Sequence, residues 1–203
     1  MGRKSINNIR KPQILEHFRQ VINEDGIHKA SVVKIAKRMG VSPNLVLHYF
    51  ESKDAMVMEL FENVLMAEYV EYLREAISGV QKGPQRLKVL IKTMFGLGKN
   101  RELLIEKSFY AFYYLSLFDD QMQLRFNRIY RQLIDMVTTE IESCAKYRGT
   151  SQVDAAKQAE FLITLFEGFS FMANIRRNGD HFEEFGDYFV EKACEFFGCD
   201  LDE

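Results

Sequence analysis

The residues with the clearest potential for chemistry are Ser42, Pro43 and Asn44, at the predicted start of a short helix. A serine hydroxyl can cap a helix, and proline suits the first helical position because no backbone N–H is missed there. If this helix enters the major groove of DNA, the three residues face base edges or adjacent phosphates. The amide of Asn44 can then pair with adenine through two hydrogen bonds. Alternatively, Asn44 only favours the helix start.

A second helix must hold this segment in place, and the sequence predicts one directly before it. Ser31 is a suitable N-cap, and apolar residues follow at helical spacing: Val32, Val33, Ile35, Ala36 and Met39. Gly40 ends the helix, because glycine adopts positive φ at little steric cost. Two short helices joined by such a turn form a helix-turn-helix, whose second helix enters the major groove. Val46 and Phe50 are expected in the core between them.

Further polar side chains around the motif suit phosphates, which position a duplex without specifying its sequence. We expect this role for the hydroxyls, cations and hydrogen-bonding rings of Ser31, Lys34, Ser42, His48, Tyr49 and Lys53. A separate basic cluster consists of Arg3, Lys4, Arg10 and Lys11. It is expected to form either an arm that reaches phosphates or the minor groove, or a solubilising tail.

The charge of the chain is unevenly distributed along its 203 residues. Residues 1–50 hold nine Lys and Arg against three Asp and Glu, a net charge of +6. Since the whole chain carries −2, residues 51–203 sum to −8. A basic segment on an acidic body is typical of a DNA-binding module joined to a part that does not contact DNA. We therefore predict a DNA-binding domain at 1–53, with its motif at about 31–50, and a second domain at 54–203.

Composition narrows the class of protein. With 47% hydrophobic and 28% charged residues, the chain is typical of a globular protein, and no apolar run approaches the roughly 20 residues of a membrane helix. No signal peptide is predicted, and Cys144, Cys194 and Cys199 lack metal-ligand spacing, so we expect reduced thiols in the cytoplasm. No cofactor or metal is expected. An enzyme is disfavoured because neither a phosphate-binding glycine loop nor a nucleophile elbow is present.

The fold class is predicted to be all-α with about nine helices. Besides the two helices of the motif, we expect helices at about 12–25, 52–78, 84–97, 101–116, 120–147, 151–177 and 181–197. Predicted caps are Asn100, Asp120, and the capping-box pairs Ser151 with Asp154 and Asp180 with Glu183. The run at 108–118 carries aromatic residues on all faces, so that helix is expected to be buried nearly all round.

The motif resembles the N-terminal signature of the tetracycline-repressor (TetR) family. The matching residues are Ile35-Ala36, Gly40-Val41-Ser42, His48-Tyr49-Phe50 and Lys53, with Phe18 and Gly26 in and after the first helix. The resemblance covers about residues 10–60, and beyond them only length and helix pattern agree. Leu47 stands where a phosphate-contacting tyrosine is usual, and Tyr49 where a histidine is usual. No contact role is therefore transferred to Leu47.

The resemblance implies a three-helix DNA-binding head and a C-terminal effector-binding and dimerisation domain. Candidate pocket residues are Met94, Phe95, Tyr110, Tyr113, Tyr114, Phe118, Phe166 and Met172. An aromatic and methionine stripe also suits a plain core. Glu167 lies in the otherwise apolar stretch 161–175, where a buried carboxylate must find a partner or become protonated.

The last two helices are expected to form the surface of a homodimer, through Phe161, Leu165, Gly168, Phe169, Phe182, Phe185 and Phe189. A two-fold dimer predicts a palindromic operator in double-stranded DNA. The leading hypothesis is a transcriptional repressor that a small apolar or aromatic effector releases from DNA. The alternative function is a DNA-binding regulator controlled by a protein partner or by no effector. The alternative to the dimer surface is that both apolar faces pack only within the monomer.

Overall fold

The computed structural model describes residues 3–62, 67–96, 107–150, 154–175 and 182–199. Ten helices lie in these ranges, and the described residues contain no β-strand, so the all-α prediction is confirmed. They are α1 (Arg3–Asp25), α2 (Val32–Met39), α3 (Pro43–Tyr49), α4 (Lys53–Leu60), α5 (Ala67–Ile77), α6 (Pro84–Phe95), α7 (Lys107–Ser116), α8 (Asp120–Tyr147), α9 (Ala155–Ile175) and α10 (Phe182–Phe197). None of these helices is long and apolar enough to cross a membrane.

The helices form two compact units. The first unit comprises Met1–Glu68 and Glu106–Asn127, and the second comprises Tyr69–Ile105 and Arg128–Glu203. The first unit therefore contains α7 and the start of α8 in addition to the helices of the motif. The division of function at residue 53 remains a prediction.

The core of the first unit is built on α1. The apolar face predicted for this helix is buried, and it consists of Ile14, Leu15, Phe18, Val21 and Ile22. The predicted start at Pro12 is wrong, since α1 begins at Arg3 and contains Pro12. A proline inside a helix removes one backbone hydrogen bond. The turn before it is held by Lys11, whose ammonium lies 3.0 Å from a Glu59 carboxylate oxygen and 4.8 Å from the centroid of the Phe50 ring.

The early start of α1 places the basic N-terminal cluster within this helix. The backbone of Arg3, Lys4, Arg10 and Lys11 is helical, so the cluster is not an extended arm. Among the cluster's described side chains, Lys11 is committed to Glu59, and the guanidinium of Arg10 donates to Gln13 at 3.3 Å. Whether the cluster contacts DNA stays a prediction.

Local sequence explains the ends of α2 as predicted. The Ser31 hydroxyl accepts the Lys34 backbone N–H at 3.3 Å, and Gly40 adopts φ +67°. The backbone N–H of Val41 then donates to the Ala36 carbonyl at 3.0 Å, which closes the helix. This left-handed residue produces the sharp exit that aims α3 away from α2.

Two other predicted caps are wrong. The Asp119 carboxylate accepts the backbone N–H of Met122 at 2.8 Å, so Asp119 rather than Asp120 caps α8. The Asp154 carboxylate accepts the backbone N–H of Lys157 at 3.2 Å, so Asp154 itself is the N-cap of α9. Ser151, Asn100 and Asp180 lie outside the described residues. Residues 63–66 also lie outside them, so the predicted helix at 52–78 is described only as α4 and α5.

The second unit has one large apolar core, to which α5, α6, α8, α9 and α10 contribute. The three cysteines are free thiols within it, and burial raises the pKa of Cys144. The prediction that the helix at 108–118 is buried nearly all round is wrong. In the first unit, Phe112 is fully buried, whereas Tyr113, Tyr114, Leu117 and Phe118 are exposed. One face of α7 is sufficient to fill the space beside Phe61 and Phe126.

Candidate DNA interface and effector site

Helix α3 has one buried and one exposed face. Val46 is fully buried, and Phe50 at the end of the helix is 3% exposed. The opposite face exposes Pro43, Asn44, Leu47 and His48, whose spacing of i, i+1, i+4 and i+5 places them together. An α-helix fits the major groove, so this face can reach base edges while the buried face fixes its orientation.

The start of α3 retains hydrogen-bonding capacity. Ser42 occupies the N-cap position with Pro43 directly after it, but the Ser42 hydroxyl makes no capping hydrogen bond. The prediction that this side chain caps the helix is therefore wrong. Proline at the first helical position removes one of the backbone N–H groups that have no partner within the helix, so fewer donors need satisfying there. The exposed hydroxyl of Ser42 and the amide of Asn44 consequently lie side by side at the positive end of the helix dipole.

The cations predicted to bind phosphate are engaged within the protein. The Lys34 ammonium lies 2.7 Å from an Asp25 carboxylate oxygen, and the Lys53 ammonium donates to the Ile27 carbonyl at 2.5 Å. The ion pair with Lys34 lowers the pKa of Asp25. Because the Lys34–Asp25 pair is exposed, it is worth little in water and can be exchanged for a phosphate. Lys53 is half-buried and retains further N–H donors.

Arg38 forms a bidentate contact between α2 and α1. Its guanidinium binds Glu24 through two hydrogen bonds of 2.5 and 2.8 Å, and its Nε donates to Gln20 at 3.1 Å. The hydrogen bonds from Arg38 lower the pKa of Glu24. The contact positions α2 against α1, and it removes one of the basic charges counted toward the predicted head.

Lys37 is a candidate that sequence reasoning missed. It is exposed on α2, and within the described part of the chain it forms no ion pair. Its neighbours one helical turn away, Val33, Lys34, Gly40 and Val41, include no acidic residue. The lack of an acidic residue at these positions was the sequence signal that Lys37 could remain available for a phosphate.

The aromatic candidates His48 and Tyr49 pack edge to face with ring centroids 5.3 Å apart. His48 is exposed and Tyr49 is half-buried.

The predicted pocket residues do not form one set. Tyr110, Tyr113, Tyr114 and Phe118 belong to the first unit, and Met94, Phe95, Phe166 and Met172 to the second. Of the second group, only Met172 is partly exposed, while the other three are buried. Phe95 is the centre of an aromatic cluster, with the Phe166, Phe169 and Phe189 rings at 5.8, 5.4 and 5.7 Å.

Glu167 directly follows Phe166 of this cluster along α9. The Tyr130 hydroxyl donates a hydrogen bond to the Glu167 carboxylate. Burial raises the pKa of Glu167, an effect that the hydrogen bond from Tyr130 partly opposes. The Tyr69 ring stacks on Phe166 at 5.9 Å, and its buried hydroxyl has no hydrogen-bond partner among the described residues. Burial and the negative charge of Glu167 together raise the pKa of Tyr69 well above its ordinary value.

Glu167 makes the stability of the chain depend on pH. Because its pKa is higher in the folded than in the unfolded protein, its contribution to stability falls as pH rises from its ordinary value of 4.5 through the raised value. Glu167→Gln keeps an acceptor for Tyr130 but cannot ionise. We expect this variant to gain about 1 kcal/mol or more over the wild type at pH 8, with a smaller gain at pH 5.

The gain is measured as the difference in thermal midpoint between variant and wild type at both pH values. Glu160→Gln is the matched control, since Glu160 is an exposed carboxylate on the same helix. A pH-independent difference for Glu167→Gln, or the same difference for Glu160→Gln, contradicts the prediction.

Family models match most of the chain. The model described as "Bacterial regulatory proteins, tetR family" matches residues 14–60, and that described as "Tetracyclin repressor-like, C-terminal domain" matches residues 82–199. The chain belongs to the TetR family. The resemblance found in the helix-turn-helix is thereby confirmed, and it extends through the C-terminal helices. The TetR-family chain is a DNA-binding transcriptional regulator.

Individual relatives of this TetR-family regulator agree with the assignment. It is similar to the HTH-type transcriptional regulator BetI of Vibrio atlanticus, at 27% identity over 210 positions covering 100% of both chains. A solved regulator from Saccharomonospora viridis in complex with choline has a TM-score of 0.75 at 19% identity, over 91% of this chain and 96% of the other. FadR of Bacillus subtilis in complex with stearoyl-CoA has a TM-score of 0.71 at 19% identity, over 90% and 97%.

The predicted dimer surface of the TetR-family regulator divides into core and exposed residues. Phe169 is buried, and the half-buried Phe185 and Phe189 pack on it with ring centroids at 6.1 and 5.4 Å. Phe161 and Gly168 are exposed, Leu165 is half-buried, and the side chain of Phe182 lies outside the described residues. The first three phenylalanines therefore contribute to the monomer core.

Phe161 and Gly168 belong to an exposed stripe on α9 that includes residues not predicted for the dimer surface. Its members recur at spacings of three and four, and they are Phe161, Thr164, Gly168, Phe171 and Ile175. On α10, Tyr188 and Phe196 are also exposed, and the Phe196 ring lies 5.2 Å from that of Phe161. This three-and-four spacing is the pattern of a helix that packs lengthwise against another helix. We call these five α9 residues the α9 stripe.

Proposed function

We propose that this regulator is a repressor, released from a palindromic operator by a small-molecule effector that binds the second unit. The observation that carries the proposal is the orientation of α3, which buries Val46 and exposes Asn44 and Leu47 on one face. Asn44 pairs with an adenine, and Leu47 contacts a thymine methyl group, an apolar contact available in the same groove. The phosphates on either side are contacted by the flanking residues Ser31, Lys34, Lys37, Ser42, Pro43, His48, Tyr49 and Lys53.

The proposed assembly is a homodimer formed through the α9 stripe and the exposed residues of α10. A large apolar patch on a monomer is typical of an interaction surface, and one stripe meeting its own copy gives a two-fold interface. Gly168 lies at the centre of the stripe with open space around its Cα, so the partner helix can approach closely there. Two heads related by a two-fold axis require two inverted half-sites.

The second unit is the proposed effector domain. The neighbours bound to choline and to stearoyl-CoA support a ligand inside this fold, and the two ligands differ widely in size and charge. An effector acts by binding the arrangement of the heads that does not fit DNA more tightly than the one that does. Control by a protein partner, or by no effector, remains the alternative. Release of the operator by a purified small molecule in the absence of other proteins decides between them.

The proposal is tested by selecting bound sequences from random double-stranded DNA. We expect an inverted repeat whose half-sites lie on one side of the duplex. Enrichment of a single unrepeated site would contradict the dimer, and no enrichment would contradict sequence-specific repression. A reporter behind the selected operator should be silenced by the chain, whereas increased expression would show an activator.

Asn44→Ala is expected to relax sequence preference at one position of each half-site. Because the lost contact is to a base, the loss of binding free energy is about 1–3 kcal/mol on the selected operator and small on a scrambled one. Lys53→Ala and Lys37→Ala should instead weaken binding to both duplexes equally. Each should also reduce the slope of the logarithm of the binding constant against the logarithm of salt concentration by about one unit. Fluorescence anisotropy at several salt concentrations measures both effects.

The exposed Asn127 of the first unit supplies the matched control, since Asn127→Ala removes the same amide away from α3. It should leave the affinity for both duplexes unchanged. Equal losses of Asn44→Ala on matched and scrambled operators would assign Asn44 to the helix start rather than to base recognition.

A further inference from the structure

We propose that Cys194 and Cys199 are a redox pair, which a hydroperoxide oxidises to a disulfide at the end of α10. The proposal adds a site of covalent modification to the second unit, and the site itself needs no effector. Its regulatory consequence rests on the proposed dimer, because α10 borders the α9 stripe. Three features of the fold support it: the turn that ends α10, the contact of this turn with Cys144, and the position of Arg148.

The turn that ends α10 brings the two cysteines together. Gly198 adopts φ +64°, and the backbone N–H of Cys199 donates to the Cys194 carbonyl at 2.9 Å. In helix ends of this type, the two residues joined by that hydrogen bond commonly also have their side chains in contact. The covalent bonds on either side of the hydrogen bond keep the two Cα atoms within about 6.8 Å, and disulfides span Cα separations of about 4.4–6.8 Å. The geometry of the turn therefore matches a disulfide across it.

A third thiol holds this turn against α8. The Sγ of Cys144 lies 3.8 Å from the Phe197 carbonyl oxygen and 3.9 Å from that of Gly198, so the thiol donates weak hydrogen bonds to the turn. Burial raises the pKa of Cys144, and a thiol with a raised pKa supplies little of the reactive thiolate. Cys144 is therefore the hydrogen-bond donor of the cluster rather than a reacting group.

A positive charge lies on the same turn. The Arg148 guanidinium is in direct contact with Gly198, in the space that a side chain at position 198 would occupy. Gly198 directly precedes Cys199, which lies beyond the last residue of α10. A neighbouring guanidinium stabilises a thiolate, the form that attacks a peroxide. Cys199 is thus the expected nucleophile, and Cys194 within the helix is the thiol that resolves the intermediate.

The reaction is a two-electron oxidation in two steps. The Cys199 thiolate attacks an oxygen of the hydroperoxide and becomes a sulfenic acid as the O–O bond breaks, and the departing alkoxide or hydroxide takes up the proton that Cys199 released. The Cys194 sulfur then attacks the sulfenic sulfur, and its proton leaves with the hydroxide as water. The two thiols lose two electrons and two protons, and the peroxide is reduced to an alcohol or water. Local opening at the helix end gives a small peroxide access to the buried thiols.

The disulfide is expected to disturb the proposed dimer surface. Phe196 lies between the two cysteines in sequence, and its ring is 5.2 Å from that of Phe161 in the α9 stripe and 5.0 Å from that of Phe197. Closing the two sulfur atoms to a bond of about 2.05 Å tightens the turn that follows these rings. We expect the oxidised protein to form a weaker dimer and to bind its operator less tightly.

Peptide mapping of the full chain tests the disulfide. The chain is treated with cumene hydroperoxide or hydrogen peroxide, alkylated, and digested with trypsin, which cleaves after Lys192. The peptide that begins at Ala193 contains Cys194 and Cys199 but not Cys144. We expect this peptide to lose the mass of two hydrogen atoms and to resist alkylation until dithiothreitol is added. A disulfide to Cys144, or two thiols that remain open to alkylation, would overturn the pair.

Substitutions test the assigned roles. Cys194→Ser should leave a sulfenic acid on Cys199, which dimedone labels, and Cys144→Ser keeps a hydrogen-bond donor to the turn and should still form the disulfide. Arg148→Gln should slow the oxidation by about threefold or more, because less thiolate is present. Lys146→Gln removes an exposed charge from the same end of α8 and is the matched control, with an unchanged rate. Dimedone labelling of Cys194 in Cys199→Ser, or an unchanged rate in Arg148→Gln, would overturn these roles.

Operator affinity separates the redox pair from the proposed function. Oxidation of the wild type should lower its affinity for the selected operator by about tenfold or more, and dithiothreitol should restore it. Since the same molecules are compared before and after reduction, no folding defect of a variant enters the comparison. A disulfide that changes neither dimer mass nor affinity would refute its regulatory role and leave the repressor intact. Failure of both forms to bind any operator would refute the proposed function, and peptide mapping would still decide the redox pair.

Discussion

Phe61→Ala is expected to lower the free energy of unfolding of the first unit by about 3–5 kcal/mol, the usual cost of removing a fully buried phenylalanine. Phe61 has no exposed surface, and its ring lies 5.1 Å from Phe112 and 5.0 Å from Phe126. The truncation removes the aromatic contacts that Phe61, at the C-terminal end of α4, makes with α7 and α8. Neighbouring rings that are held by their own helices can close such a cavity only in part.

Urea unfolding monitored by circular dichroism measures this loss. Phe118→Ala is the matched control, because Phe118 lies in the same unit and is 75% exposed, so its truncation should cost less than about 0.5 kcal/mol. Operator binding by Phe61→Ala should fail at a lower temperature than binding by the control. A Phe61→Ala variant as stable as Phe118→Ala would show that α4 does not depend on this aromatic contact.

The sequence predicted the elements whose signals are local. Ser31 and Gly40 bound α2 because a hydroxyl and a left-handed residue are needed at those places whatever surrounds them. The buried face of α1 followed from helical periodicity alone. These local signals were enough to identify the helix-turn-helix and, through it, the family.

Tertiary contacts decided the features that were predicted wrongly. Pro12 is a typical helix start, yet α1 continues through it where Lys11 is held by Glu59 and the Phe50 ring. At α8 and α9 several acidic residues stand close together, and composition does not determine which of them accepts the first N–H groups. Lys34 pairs with Asp25, nine positions away, a contact that no helical spacing reveals.

In the candidate effector site, too, local sequence signals were predictable and tertiary contacts were not. The isolated carboxylate of Glu167 was visible in the sequence because it interrupts an apolar run. Its partner Tyr130 lies 37 positions earlier on another helix, and Tyr69 is more distant still. The aromatic residues on α7 gave a signal as strong as those on α6 and α9, but they belong to the other unit. Chemistry that is rare in its local context was thus predictable, and its surroundings were not.

Phe171→Glu is expected to convert the proposed homodimer to a monomer. Phe171 lies on the α9 stripe and is 54% exposed, so a dimer that packs stripe against stripe places the two copies of this residue near the two-fold axis. Two carboxylates buried there would repel each other and lose their hydration. Because Phe171 makes a small contribution to the monomer core, the variant should retain its helical content. Sedimentation equilibrium measures the change in mass.

Loss of the dimer should weaken operator binding more than loss of any single base contact. In a dimer the second head binds as an intramolecular step, which raises affinity by about 100-fold or more over one head. Phe118→Glu places the same charge on a more exposed phenylalanine of the first unit, and it should remain dimeric with wild-type affinity. A dimeric Phe171→Glu would exclude the α9 stripe as the interface. A monomeric variant with undiminished affinity would instead show that one head suffices, since the contacts of α3 would then carry recognition without a second half-site.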